Sequence, residues 1–224
     1  MENQNQEKKN LPDGSISQSF GFGWNQLKKY FLYLFVAILI GAVADIPAGI
    51  FRGDFDHHAT PGWIFLGIIA FLYGLLLLPV INYGIDLFFL RAIRDEALDF
   101  KEIFSGFKNY VNIILAHLLA TALIVLGFIF FIIPGFILAC RLVFVPYLVM
   151  DRQLDPIKAV EKSWQMTYGH GWKIFAMGII SFFLIIFGLI LMIVGVLFSA
   201  MWISSAFASL YYSIDEKEKA ELEA

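Results

Sequence analysis

The sequence predicts an all-α membrane protein with six transmembrane helices in three hairpins, each hairpin preceded by a cytoplasmic-side interfacial amphipathic helix. Composition, the length of the apolar blocks and the placement of lysine and arginine predict it. Of the 224 residues, 59% are hydrophobic, 17% aromatic and only 16% charged. Mean hydropathy is +0.74, far outside the soluble range. Net charge is −3, so no basic excess points to nucleic acid. The single cysteine, Cys140, excludes an intramolecular disulfide framework.

Residues 1–14 are polar and are expected to form a disordered cytoplasmic N-terminus. They hold no early apolar core of the kind a cleaved signal peptide needs, so the first hydrophobic helix is expected to be a permanent anchor. A single transmembrane domain over 15–214 follows, then a charged cytoplasmic tail, 215–224. The first apolar block holds Tyr30 to Ile50, a loop containing "RGDFDHHAT" (Arg52 to Thr60), and Gly62 to Leu90. The second runs from Tyr110 to Met150 and the third from Ile174 to Ile214. Each of the last two is about twice the ~20 residues that cross a bilayer, so each must turn back. Pro134-Gly135 and Gly195 are the expected turns.

Fourteen of the 16 basic residues fall on one side of this arrangement. They are Lys8, Lys9, Lys28 and Lys29, then Arg91, Arg94, Lys101 and Lys108, then Arg152, Lys158, Lys162 and Lys173, and finally Lys217 and Lys219. Arg52 lies opposite, and Arg141 lies inside an apolar run. The positive-inside rule then puts both termini in the cytoplasm of a prokaryotic cell, with the chain in its inner membrane.

Each hairpin follows an apolar stripe at helical spacing: Ile16, Phe20, Trp24 and Leu27; Phe100, Ile103, Phe104 and Phe107; Ile157, Val160, Trp164 and Tyr168. Asp155 and Pro156 form a helix-start signature for the third. Basic and aromatic residues mark the junctions, and Trp24, Lys28, Lys29, Lys108, Trp164, His170, Trp172 and Lys173 are the expected headgroup contacts. The threefold pattern fits an internal repeat, and it equally fits any six-helix protein with short basic inner loops.

Polar residues inside a membrane need a partner or a task. Arg141 lies six residues after Gly135, roughly 9 Å along a helix. Asp45 lies at a similar depth near the end of the first spanning helix, so the two are a candidate intramembrane charge pair. Arg141 could instead snorkel to water or meet a lipid phosphate. His117, Asn82 and Asp86 are candidates for a polar or ion path, with helix–helix hydrogen bonding as the plainer reading. Pro79 and Gly84 mark a kinked or broken helix. Ser199, Ser204, Ser205, Ala206, Ala208 and Ser209 suggest close helix packing.

His57 and His58 stand beside Asp54 and Asp56, but adjacent histidines fit one ion poorly, so a solvated loop is expected and no metal or cofactor. There is no metal-binding His-Glu-x-x-His, no nucleophile elbow and no phosphate loop, so no catalytic residue is expected. Two function classes follow. One is a non-enzymatic, lipid-interacting or scaffold module with membrane lipids, a second copy or other membrane proteins as partners. The alternative is a small-solute or ion transporter using Arg141, Asp45 and the proline-broken helices.

The run from Ile133 to Trp172 carries Pro134, Gly135, Arg141, Pro146, Tyr147, Asp151, Ala159, Ser163, Trp164, Thr167, Gly169, His170 and Trp172. It resembles a signature of uncharacterised prokaryotic multi-pass membrane proteins. Among these are the YciC-like inner-membrane proteins and the membrane domain fused to some glycerophosphodiester phosphodiesterases. The resemblance covers residues 100–200 and implies a six-helix cytoplasmic-membrane protein, with no activity or catalytic residues carried over. Its two Pro-containing ends bound a short fourth helix of about 16 residues, ~24 Å long.

Overall fold

The computed structural model describes residues 14–50 and 61–222, so the "RGDFDHHAT" loop with His57 and His58 lies outside the described residues. Among those residues the secondary structure is helical, with no strand. The elements are α1 (Ile16–Lys29), α2 (Phe31–Ile50), α3 (Pro61–Leu76), α4 (Leu78–Ile93), a 3₁₀ helix (Phe100–Asn109), α5 (Tyr110–Phe130), α6 (Ile132–Arg141), α7 (Val145–Met150), α8 (Pro156–Met166), α9 (Gly171–Ile190) and α10 (Met192–Leu222). Six helical stretches are long and apolar enough to cross a bilayer: Phe31–Gly49, Ile64–Ile93, Phe100–Phe130, Ile132–Met150, Gly171–Ile190 and Val194–Glu221. That number matches the sequence expectation.

Instead of the single expected domain, the chain divides into two compact units, passing between them inside α2, α4 and α8. The first holds residues 1–35, 89–97 and 164–224. In it α1 and α9 both pack on α10. Ser15 caps α1, its hydroxyl accepting from the Gln18 N–H at 3.3 Å. The stripe Phe20, Trp24 and Leu27 faces α10, where Trp24 meets the rings of Phe198 and Trp202. A Cβ on Gly23 would stand 3.0 Å from the backbone of Ser205 and Ala206. The small residues of the sixth span therefore let two helices meet backbone to backbone.

The third apolar block breaks at Leu191, not at Gly195, and Met192 takes the left-handed conformation with φ 60. Gly195 lies inside α10 for a different reason: any side chain there would collide with the Gly188 carbonyl. The glycine permits close approach of α9 and α10 and leaves the turn to its neighbours. Ser199 secures the same seam by donating to the Leu184 carbonyl at 2.8 Å.

The second unit holds residues 36–88 and 98–163. Tyr73 of α3 donates its hydroxyl to the Ala44 carbonyl of α2 at 2.9 Å. The second span is interrupted at Leu77, between α3 and α4. Pro79 is the physical cause, because it offers no N–H to continue the ladder. Gly84 does not break α4. It admits the 3₁₀ helix, whose Ile103 carbonyl lies where a Cβ would be. That second amphipathic segment was expected to be α-helical. A 3₁₀ helix is narrower and repeats every three residues, so Ile103 and Gly106 share the buried face while Phe104 and Phe107 are exposed.

The second block turns at Phe131, which is extended, with Pro134 and Gly135 in the first turn of α6. Here too the glycines make a seam: a Cβ on Gly127 would stand 3.0 Å from Gly135 Cα. The fourth span does not run as one helix. It stops at Arg141 and resumes as α7 at Val145. Pro146 cannot donate to the carbonyl of Leu142 and its ring would strike that carbonyl. A tight turn replaces the lost bond, with the Val145 N–H donating to Leu142 O at 3.2 Å.

Candidate functional site

The break in the fourth span is the first candidate locus. An interrupted helix leaves carbonyls and N–H groups without intrahelical partners. Ser163 of α8 supplies both needs with one hydroxyl. It donates to the Arg141 carbonyl at 2.7 Å and accepts from the Phe144 N–H at 3.3 Å. Ser163 is fully buried. Arg141 is half-buried at the C-terminal end of α6, where a cation is favoured by the helix dipole.

The expected pair does not form: Asp45 is exposed on α2 and makes no ion pair with Arg141. The depth count behind it assumed an unbroken fourth helix. The break makes Arg141 the last residue of a ten-residue helix, so its surroundings are set by α6 and by the turn after it.

The second locus is a polar cluster on α4 and α5. Tyr83 and Asp86 are three residues apart and so share a helix face, and the charge of Asp86 acts on the Tyr83 hydroxyl. The Tyr83 ring meets the His117 ring of α5 edge-on, with centroids 6.1 Å apart. Tyr83 is buried, while Asp86 and His117 are partly so. The structure thus joins His117 and Asp86 through Tyr83, a residue missed by sequence reasoning although its spacing from Asp86 was the signal. Asn82 is exposed and lies off this face.

The expected headgroup contacts separate into two groups. Trp24 is packed on α10, with Lys28 Nζ 5.9 Å from its ring. Lys29 Nζ pairs with Asp95 at 2.7 Å, and that hydrogen bond raises the lysine pKa above its ordinary value. Lys173 donates to the Gly14 carbonyl at 3.1 Å. By contrast Lys108 is exposed, and so are Trp164, Tyr168 and Trp172, at 43, 74 and 83%. On α8 the residues that bury are Ala159, Ser163 and Met166, with Thr167 just beyond, so the aromatic stripe is left outside. His170, between α8 and α9, places Nδ1 3.2 Å from the Tyr168 carbonyl.

One charged cluster was not anticipated. The charged tail expected from residue 215 continues α10 as far as Leu222. Asp215 is 0% exposed and is held by Arg94 at 3.4 Å and Lys219 at 2.8 Å. The Arg94 guanidinium also lies 5.6 Å from the Tyr212 ring centroid. Among the described residues no group of three or more His, Cys, Asp or Glu side chains is placed to hold a metal ion. Comparison with protein-family models, with curated proteins and with solved structures returned no match for this chain.

Proposed function

We propose that this chain is a multi-pass protein of a prokaryotic cytoplasmic membrane, a non-enzymatic module that engages lipid or serves as a scaffold in envelope homeostasis. In this reading the six apolar stretches form three hairpins with both termini cytoplasmic, and the amphipathic segments lie at the cytoplasmic interface. The observation that carries it is the row Trp164, Tyr168 and Trp172, exposed where α8 gives way to the apolar α9. Large amphipathic rings at the start of a spanning helix favour the headgroup layer. The likeness of Ile133–Trp172 to the YciC-like proteins supports the same reading. Native mass spectrometry of protein released from nanodiscs tests it. Retained phospholipid that Trp164→Ala with Trp172→Ala depletes is the expected result, and protein free of lipid at every activation energy would sink the lipid reading.

The cluster of Asp86, Tyr83 and His117 favours a second reading, transport of a small solute or ion, because membrane carboxylates commonly mark such paths. Ion-dependent flux into proteoliposomes that Asp86→Asn abolishes would move the balance to it.

A further inference from the structure

The turn between α5 and α6 and the turn between α9 and α10 share an unusual chemistry for places where a spanning chain reverses. No polar side chain occurs from Ala122 to Cys140, or from Phe182 to Phe198, and each turn sits near the middle of its run. Phe130, Phe131, Ile132 and Ile133 are between 70 and 75% exposed, and Ile190, Leu191 and Met192 are also exposed. A reversal that reaches water normally presents turn-forming polar residues.

Main-chain polarity is also kept low. The Phe131 N–H donates to Gly127 O at 3.0 Å, and the Gly135 N–H to Phe131 O at 3.3 Å. Pro134 removes a further donor that would have had no partner. At the other turn the Leu191 N–H donates to Gly188 O at 3.1 Å. Such internal pairing is what hydrocarbon demands of a backbone.

Length agrees. α5 has 21 residues and begins directly after Lys108 and Asn109. At 1.5 Å per residue it spans ~31 Å, about the ~30 Å hydrocarbon core but well short of the ~40–45 Å that includes both headgroup layers. α9, with 20 residues, gives the same result.

We propose that each of these two turns is seated in lipid acyl chains and does not emerge into water on the far side of the membrane. The inference rests on the membrane reading above. It is tested by nitroxide labels at Phe131→Cys and Leu191→Cys, each in a Cys140→Ser background, with Ile132→Cys and Ile190→Cys as second variants. The protein is reconstituted in phosphatidylethanolamine–phosphatidylglycerol vesicles. Relaxation by oxygen, which enriches in lipid, is compared with relaxation by a water-soluble nickel chelate. Leu126→Cys, on the exposed face of α5, and Ala97→Cys, in an exposed turn, serve as references.

The expected result is an oxygen-to-nickel ratio at both turns like that of Leu126→Cys and inverted relative to Ala97→Cys. A nickel-dominated turn beside an oxygen-dominated Leu126→Cys overturns the inference and leaves the membrane reading standing. Low relaxation by both agents also overturns it, because the turn is then covered by protein, such as a second copy. Nickel dominance at Leu126→Cys itself sinks the membrane reading.

Discussion

The hydroxyl of Ser163 donates to the main-chain oxygen of Arg141 at 2.7 Å, so a residue of α8 closes a break made 20 residues earlier by Pro146. The bridge converts a costly interruption of a spanning helix into a defined corner, because the freed Phe144 N–H finds the same oxygen at 3.3 Å.

Ser163→Ala should therefore cost about 1–3 kcal/mol, the penalty for leaving buried polar groups unpaired. Thermal unfolding in detergent reads it directly. A variant as stable as the parent would show that the hydroxyl adds nothing to the corner.

Gly84→Ala and Gly74→Ala should move stability in opposite directions. At Gly84 the added methyl meets the Ile103 backbone, and overpacking of this kind costs about 1–3 kcal/mol. At Gly74 the nearest atoms stand at 4.0 Å, an ordinary contact, so helix propensity predicts a gain of about 0.5–1 kcal/mol. Equal effects in paired melting curves would contradict the proposed seat of the 3₁₀ helix.

The two cations around Asp215 should couple. Arg94→Ala leaves the buried carboxylate with Lys219, and Lys219→Ala leaves it with Arg94. Only the double variant strips it of both these partners, and stranding a buried charge costs about 3–5 kcal/mol. A double-mutant cycle should thus show a loss larger than the sum of the single losses. Additivity would mean that Asp215 is neutral or held by other groups.

The exposed pair Lys29–Asp95 gives a pH-dependent signature. Its lysine pKa is raised in the folded protein by the hydrogen bond to Asp95. The associated stability is then fully present below the ordinary lysine value of about 10.4 and is lost as pH rises through the folded value. Asp95 has φ 57, which asparagine tolerates. The melting-temperature difference between the parent and Asp95→Asn should accordingly stay constant from neutral pH to about 9 and shrink above about 10.4. A difference that grows in that alkaline range would reverse the assignment.

Much of the architecture was legible in particular residues. Pro79 announced the interruption at Leu77, and the Tyr110–Met150 block reversed close to Pro134, at Phe131. The candidate site was less legible. Asp86 and His117 stood out as polar residues in apolar runs, but only the packing of α4 with α5 inserted Tyr83 between them. Ser163 looked like a surface serine on an amphipathic helix and proved to be fully buried.

The sequence by itself determined the class, the six apolar stretches and the prolines at which helices stop. These depend on length and on local backbone chemistry, which need no partner. Tertiary structure alone decided which face of each helix meets protein, so it alone separated Trp24, packed on α10, from Trp172, left outside. It also decided that Gly84, Gly135 and Gly195 serve close approach, and that Arg141 ends a helix without pairing with Asp45. In an apolar helix the side toward lipid and the side toward protein carry the same kind of residue, so periodicity holds little information about either. Contact geometry supplies what that periodicity cannot.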